Sequence, residues 1–240
     1  MILLEKGRYA ARLAETEADI AAAQALRHRA FFGREGVDAD AFDAICRHVL
    51  VEDEGRLVCC YRVLPLAHGA EIGRSYSAQF YDLKALEAFD RPMIEMGRFC
   101  IDPDVRDPDV LRVAWGAMTR IVDEGGHGML FGCSSFQGTD PTPYAETFGL
   151  LAGRHVAPKR WRPGRRARQV VSLGKALIPA RIANATRAMP PLLRTYLRMG
   201  GWVSDHAVID KAMGTLHVFT GVEVDRVPGG RKRSLRAIAG

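Results

Sequence analysis

A strand–helix–strand unit between residues 93 and 137 constrains the fold of this 240-residue chain more than any other feature. Its first segment, 93–101, is largely apolar and stops at Asp102-Pro103, where proline cannot donate to a β-ladder. Residues 109–124 repeat apolar side chains at helical spacing, which predicts an amphipathic helix. The apolar run 129–133 then predicts the second strand.

Two ionisable residues stand in the middle of the first predicted strand. Glu95 and Arg98 are surrounded in the sequence by apolar residues. A charge in such surroundings is costly unless it is paired or used in function. The spacing alone therefore leaves two interpretations open: a structural ion pair that joins two strands, or part of an active site.

A resemblance to a known family rests on motifs that follow one another along the chain. The chain reads Glu-x-x-Arg-Phe-Cys-x-x-Pro-x-x-Arg at 95–106, then the amphipathic helix, then Gly-Cys-Ser-Ser-Phe-x-Gly-Thr-Asp-Pro at 132–141. This order resembles the ornithine–acyl carrier protein N-acyltransferases, which make the lyso form of ornithine lipid in bacteria. They are relatives of the acyl-homoserine-lactone synthases within the GNAT superfamily. Residues 190–200 also resemble the C-terminal block of the ornithine enzymes.

The resemblance implies a fold and a reaction. The fold is a GNAT-type α/β fold, a mixed twisted sheet flanked by helices. The reaction moves a 3-hydroxyacyl group from acyl carrier protein to the α-amine of L-ornithine. In it, Glu95 is the candidate general base, and Arg98 orients Glu95 or binds the substrate carboxylate. The candidate substrate-binding residues are Arg27, Phe31, Asp40, Asp43, Arg62, Ser134 and Ser135.

Alternatives remain open at several of these positions. Arg62 could simply pair with a loop aspartate, and acidic loop residues such as Asp40 and Asp43 are usually solvated. The lactone synthases usually carry a tryptophan between the Arg27 and Asp40 blocks, and this chain has none there. The family pattern Asp-x-x-Phe-Asn-Thr appears here as Asp-Lys-Ala-Met-Gly-Thr at 210–215. The altered 210–215 block leaves glutamine or another amino acid open as the acceptor. Lactone synthesis stays a further alternative, which the missing tryptophan weakens.

Charge is distributed unevenly between the two parts of the chain. Residues 1–152 hold 16 Lys/Arg and 24 Asp/Glu, whereas residues from 153 onward hold 18 and 4. We therefore expect an acyltransferase core, 1–153, and a basic extension, 154–240, packed on it within one domain. Such asymmetry indicates an acidic partner, and acyl carrier proteins are acidic. The candidate carrier-binding residues are Lys159, Arg160, Arg162, Arg165, Arg166 and Arg168.

The acyl donor is expected to be a phosphopantetheine thioester on that carrier, with no other cofactor. The acetyl-coenzyme A loop of the GNAT superfamily is typically glycine-rich and binds a diphosphate at a helix N-terminus. The corresponding segment here, 102–109, is acidic and lacks those glycines. It would repel a diphosphate, which favours a carrier protein over coenzyme A.

Cysteines and apolar runs bear on the compartment. Five cysteines without a Cys-x-x-Cys pair indicate reduced thiols and no metal site. No apolar run is long enough to span a membrane, and the first residues do not resemble a signal peptide. We therefore expect a cytoplasmic protein. The basic amphipathic segment 175–200 leaves peripheral contact with the inner membrane open.

Two non-enzymatic classes compete with this interpretation. A nucleic-acid-binding protein would explain the basic C-terminal third, but no base-reading motif is present, so nucleic acid is not an expected partner. A membrane-surface protein would explain residues 175–200, but not Glu95 or Arg98.

Local patterns further predict a hairpin at Asp53-Glu54-Gly55-Arg56, a short helix at 75–89 and a disordered tail around 231–233.

Overall fold

The computed structural model describes residues 1–175 and 182–239. Its strands are β1 (Ile2–Lys6), β2 (Tyr9–Leu13), β3 (Arg47–Asp53), β4 (Arg56–Leu66), β5 (Tyr81–Asp82), β6 (Met93–Ile101), β7 (Met129–Gln137), β8 (Gly164–Arg165), β9 (Val170–Ser172), β10 (Trp202–Val203), β11 (His206–Asp210) and β12 (Thr215–Glu223). Its α-helices are α1 (Glu17–Phe32), α2 (Asp109–Glu124), α3 (Ala145–Arg154), α4 (Ile182–Ala188), α5 (Pro191–Arg198) and α6 (Gly229–Ala239).

Contacts within the chain separate it into two compact units. The first comprises Met1–Pro65, Ile94–His127 and Gly229–Gly240, and the second comprises Leu66–Met93 and Gly128–Pro228. The units thus alternate along the sequence, whereas the change in charge suggested a division after residue 153. That division into domains stays a prediction.

The first unit is built on a sheet in which β1, β2, β3, β4 and β6 are successive neighbours. The first four strands pair antiparallel in sequence order. Between β3 and β4, both central residues of the turn have left-handed backbone, with φ of 49° at Glu54 and 84° at Gly55. This turn geometry matches the natural twist of paired strands. The predicted hairpin is confirmed.

Helices α1 and α2 cover opposite faces of this sheet. Cys60 of β4 packs with Ala23 and Leu26 of α1. The next residue, Tyr61, donates its hydroxyl to the Ala114 carbonyl of α2 at 3.0 Å. Because successive side chains of a strand point to opposite faces, this pair of contacts places one helix on each side. The predicted helix 109–124 is confirmed with the same bounds.

In the second unit, strands β7 and β12 form the longest pairing. They run antiparallel from Met129 opposite Glu223 to Gln137 opposite Thr215, so β7 extends four residues beyond the predicted strand 129–133. Strand β12 also pairs with β10 and β11, and β11 pairs with β9. Helices α3 to α5 contribute to a buried apolar cluster that includes Phe148, Ala185 and Leu193.

The prediction of a disordered tail around 231–233 is wrong, because these residues lie within α6. Arg236 donates to both carboxylate oxygens of Asp123 on α2, at 2.9 and 3.1 Å. Leu235 is buried, and Ile238 lies so close to Gly116 that a side chain there would collide with it. Apolar residues three apart give the tail a helical face, which the run of basic residues concealed.

The prediction of one helix at 75–89 is also wrong. The segment consists of short 3₁₀ turns, including Ser77–Gln79 and Lys84–Ala88, separated by β5. Side chains favour this irregular path: the Ser75 hydroxyl accepts from the backbone N–H of Ala78 at 3.2 Å. Strand β5 pairs with β8, so tertiary pairing prevails over the local helical pattern.

The basic amphipathic segment is described only in part. Residues 182–200 contain α4 and α5, which are separated by Met189 and Pro190. Leu177, Ile178 and Arg181 lie outside the described residues. No helix in residues 1–175 and 182–239 combines the length and apolar content needed to cross a membrane.

Candidate active site

Helix α1 holds the first candidate residue in a fixed place. Thr16 caps its N-terminus by accepting from the N–H of Asp19 at 3.1 Å, while the Asp19 carboxylate accepts from the N–H of Thr16. Gly33 ends the helix in the left-handed conformation, with φ of 68°. Between these caps lies Arg27, whose side chain is only 1% exposed. A buried guanidinium of this kind requires carboxylate partners.

The partners come from the turn that follows α1. Asp40 accepts from the N–H of Phe42 at 2.9 Å, and Asp43 accepts from the N–H of Asp40 at 3.3 Å. This reciprocal capping shapes the short 3₁₀ helix Ala41–Ala44 and directs both carboxylates inward. The spacing of two aspartates three residues apart therefore has a structural cause.

Six side chains of the first unit form a closed circuit of alternating charge, here called the charge ring. It runs Asp43, Arg27, Asp38, Arg98, Asp40, Arg62 and back to Asp43. The shortest nitrogen–oxygen distances, in the same order, are 2.8, 2.8, 3.0, 3.1, 2.6 and 2.7 Å. The formal charges cancel, so the ring joins α1, the turn, β4 and β6 without a net buried charge.

Burial and ion pairing have opposite effects on the pKa values of the ring. Burial alone would raise the pKa of Asp43, but hydrogen bonds from Arg27 and Gln24 hold it well below its usual value. The same two effects act on Asp40. Burial raises its pKa, but contacts led by the hydrogen bond from Arg62 together outweigh burial, so the pKa is lowered overall. Burial lowers the pKa of Arg62, and Asp40 more than reverses this. Asp40, Asp43 and Arg62 are therefore ionised at neutral pH.

Arg98 enters the ring from an unusual backbone conformation. Its φ is 52°, in the left-handed region, although it lies within β6 and is not a glycine. This conformation costs a non-glycine residue about 1–2 kcal/mol, and it persists where surrounding contacts fix it. Such strain is concentrated at functional sites, which agrees with a role for Arg98 in the site.

Glu95 lies three residues before Arg98 on the same strand and is 3% exposed. Its charge acts on the thiol of Cys46, as do those of Asp40 and Asp43. Burial raises the pKa of Cys46 to about 11; Arg62 opposes this rise and Glu95 adds to it. Glu95 thus shares an electrostatic neighbour, Cys46, with Asp40 and Asp43 of the charge ring, and its side chain is shielded from water.

The structure brings together most, but not all, of the candidates. Arg27, Asp40, Asp43, Arg62 and Arg98 meet in the ring, so the aspartates are not solvated loop residues. Phe31 instead packs half-buried against an apolar cluster of the same unit. In the second unit, Ser134 is buried and accepts from the Thr220 hydroxyl at 3.0 Å, whereas Ser135 is exposed. The functional roles assigned to these residues stay predictions.

The basic residues at 159–168 divide into two groups. Arg160 pairs with Glu223 at 2.9 Å, and Arg162 donates to the Ala157 carbonyl at 3.1 Å. These two arginines therefore hold the loop to its own unit. All six basic residues of the stretch are exposed, and the four that take no part in these contacts are Lys159, Arg165, Arg166 and Arg168.

Sequence reasoning missed three residues that support the ring. Asp38 is a ring member, Gln24 donates to Asp43 at 3.0 Å, and the His48 ring lies 3.0 Å from the Asp43 carbonyl. Gln24 lies three residues before Arg27 on α1, so helical spacing could have indicated its position. Nothing in the sequence distinguishes Asp38 from a solvated loop aspartate.

Cys46, Cys59 and Cys100 are not activated as nucleophiles, because the pKa of each thiol is raised. Cys100 is buried, and its contact with Cys60 and its burial raise its pKa well above the usual value. A thiol of this kind is a poor nucleophile. Within residues 1–175 and 182–239, no group of three or more His, Cys, Asp and Glu side chains is placed to hold a metal ion.

Comparison with known proteins gives three informative matches. The profile of the acetyltransferase (GNAT) domain matches residues 20–116. The L-ornithine N(alpha)-acyltransferase of Rhodobacter capsulatus is 34% identical over 229 residues, 88% of this chain and 88% of that protein. The protein of the same name from Brucella abortus is 32% identical over 95% of this chain and 88% of its own.

A solved structure adds to the fold assignment. FeeM, an N-acyl amino acid synthase from uncultured soil microbes, aligns with a TM-score of 0.55 over 92% of this chain and 94% of its own, at 10% identity. Together with the domain match, this likeness confirms the predicted GNAT-type α/β fold.

Proposed function

Because this chain belongs to the L-ornithine N(alpha)-acyltransferase family, we propose that it transfers a 3-hydroxyacyl group to the α-amine of L-ornithine. The product is then an N-acylated amino acid, the lyso form of ornithine lipid. Identity of 34% over 88% of both chains carries the proposal for the acceptor. Glu95, which is buried on the same strand as the ring member Arg98, carries the proposal for the mechanism.

The reaction requires a base, because an α-amino group has a pKa of about 8 and is mostly protonated at neutral pH. Glu95 removes the proton, directly or through a water molecule. The neutral nitrogen then attacks the thioester carbonyl carbon, and the C–S bond breaks as the tetrahedral intermediate collapses. The thiol leaves with a proton, and an amide remains. Direct attack of this kind needs no acyl-enzyme, which agrees with the inert Cys100.

Two residues of the ring have proposed roles toward the acceptor. Arg98 orients Glu95 or binds the substrate carboxylate through its guanidinium. The Asp40 side chain is 25% exposed, against 9% for Asp38 and Asp43, so Asp40 is the most accessible ring carboxylate. We assign to Asp40 the contact with the cationic side chain of ornithine, with Asp43 behind it. Arg27 and Arg62 hold both aspartates in place.

The proposed acyl donor is an acyl carrier protein, and the exposed basic residues supply the docking surface. Arg165 lies in β8, directly opposite Tyr81 of β5, and this pairing fixes the backbone of the loop. Arg166 and Arg168 follow on the exit from β8. A fixed, exposed basic surface accelerates association with an acidic carrier. The same proposal places the enzyme in the cytoplasm, in peripheral contact with the inner membrane that receives its product.

Reversing the charges of Arg165 and Arg166 to glutamate is expected to raise the KM for acyl carrier protein about 10-fold at low salt. The change should reduce the salt dependence of kcat/KM and leave kcat almost unchanged, because surface charges act on encounter. The matched control is the double variant Arg187→Glu and Arg198→Glu, which reverses two exposed charges on α4 and α5. An unchanged KM, or an equal rise in the control, would place the carrier elsewhere.

The acceptor is tested by expressing this one chain in a host that lacks ornithine lipids. Mass spectrometry of the extracted lipids is expected to show lyso-ornithine lipid. A lyso-glutamine lipid would retain the mechanism and change the acceptor. An acyl-homoserine lactone would transfer the chain to the other enzyme branch, and the absence of any new acylated amine would overturn the proposed enzyme activity.

A further inference from the structure

Asp38 is the member of the charge ring that the family motifs do not include. One oxygen of its carboxylate, Oδ2, lies 2.8 Å from Nε of Arg27 and accepts a hydrogen bond from Nε of Arg98 at 3.0 Å. This single oxygen therefore joins α1 to β6 within the first unit. The side chain is 9% exposed, which strengthens both charge-assisted contacts.

The backbone of Asp38 is fixed as firmly as its carboxylate. Its N–H donates to the carbonyl of Gln24 on α1 at 3.1 Å, and its own carbonyl accepts from Nη2 of Arg27. Asp38 is thus held on α1 by main-chain contacts, although it lies in the loop after that helix. Its carboxylate is consequently a fixed point against which another side chain can be oriented.

The side chain oriented in this way is Arg98. Nε of Arg98 donates to Asp38, and Nη2 of Arg98 donates to Asp40 at 3.1 Å. Two aspartates therefore accept hydrogen bonds from two nitrogens of the same planar guanidinium. Contacts at Nε and Nη2 together define both the position and the plane of a guanidinium. The left-handed backbone at Arg98, with φ of 52°, gives the side chain its direction from the strand.

We propose that Asp38 is a positioning residue for acyl transfer, which acts by setting the plane of the Arg98 guanidinium. The inference rests on the proposed function, in which Arg98 orients Glu95 or binds the acceptor carboxylate. Arg98 contacts two aspartates, of which Asp40 is the more exposed and is assigned to the substrate. Asp38, the less exposed one, therefore orients Arg98 without contacting the substrate. Loss of the Asp38 charge would remove one of the two ring contacts, at Nε and at Nη2, that set the plane of the Arg98 guanidinium.

The test is the variant Asp38→Asn, which keeps the shape of the side chain and removes its charge. Steady-state kinetics with acylated carrier protein and ornithine are expected to show kcat/KM for the acceptor reduced about 10-fold or more, since small misplacements at a reacting centre have effects of this order. An increase in KM assigns Arg98 to the acceptor carboxylate, and a decrease in kcat assigns it to Glu95. A merely structural role would change the thermal midpoint and neither kinetic constant of the folded enzyme.

The matched control is Asp19→Asn in the first turn of α1. Asp19 holds Arg12 through contacts at 2.7 and 3.0 Å and accepts from two backbone N–H groups, but it has no place in the site. It is expected to lose stability while keeping kcat and KM. Wild-type constants in Asp38→Asn, or an equal loss in Asp19→Asn, would overturn the proposal.

A second variant keeps the test decisive if Asp38→Asn fails to fold. Asp38→Glu retains the charge but moves the carboxylate by one methylene, so it should fold and still be impaired; wild-type kinetics in this variant would overturn the proposal. Failure of the proposed function has a different signature. If the wild type acylates another amino acid, the same constants are measured with that acceptor, and the comparison between the Asp38 and Asp19 variants keeps its meaning.

Discussion

Replacing Glu95 with glutamine is expected to lower turnover about 100-fold or more while leaving the fold intact. Glutamine has nearly the same size, but it cannot accept the proton that the acceptor amine must lose. General base catalysis contributes about 10²–10⁴ to a rate, which sets the expected loss. Glu95 is 3% exposed, so bulk water does not readily replace it. The measurement is single-turnover acyl transfer with saturating acylated carrier protein and ornithine.

The control for this prediction is Glu52→Gln on β3. Glu52 is a glutamate of the same unit that pairs with Arg12 at 2.8 Å, and its side chain is 18% exposed. Its amide variant is expected to retain wild-type turnover. If Glu95→Gln has wild-type turnover and an unchanged thermal midpoint, Glu95 is not the base, and the interpretation as a structural ion pair is favoured instead.

Much of the fold was accessible from local sequence signals. The helix at 109–124 has a strong apolar stripe, and the hairpin at 53–56 has glycine where the turn requires positive φ. Both signals depend on a few consecutive residues, so neighbours distant in sequence do not alter them. The errors at 75–89 and in the tail arose where contacts with partners distant in sequence determine the local structure. In 75–89, β5 pairs with β8, and in the tail, α6 packs against α2.

The sequence predicted several residues of the candidate site, but not how their side chains are arranged in space. The motifs identified Arg27, Asp40, Asp43 and Arg98, and the structure adds that they neutralise one another in a ring. Asp38 could not have been found, because its partner Arg98 lies 60 residues away along the chain. A loop aspartate that is fixed by main-chain contacts looks in sequence like one that is solvated.

Replacing Asp43 with asparagine is expected to destabilise the protein by about 3 kcal/mol, because it leaves two arginines without a shared carboxylate. Arg27 and Arg62, which are 1% and 3% exposed, would then carry an uncompensated buried charge. For a chain of this length, such a loss lowers the thermal midpoint by about 6–12 °C. Calorimetry or urea unfolding measures the change. The control, Asp123→Asn, breaks the exposed pair with Arg236 and should leave the thermal midpoint almost unchanged.

Acid provides an independent check on the origin of this stability. Because the ring holds the pKa of Asp43 below its unfolded value of about 4, the wild type binds fewer protons at this group than the unfolded chain does. The contribution of Asp43 is therefore complete above about pH 4 and is lost as the pH falls below that value. The difference in stability between wild type and Asp43→Asn should accordingly be constant near neutral pH and shrink on acidification. A difference that did not depend on pH below 4 would mean that shape, rather than the charge of the ring, sets the cost.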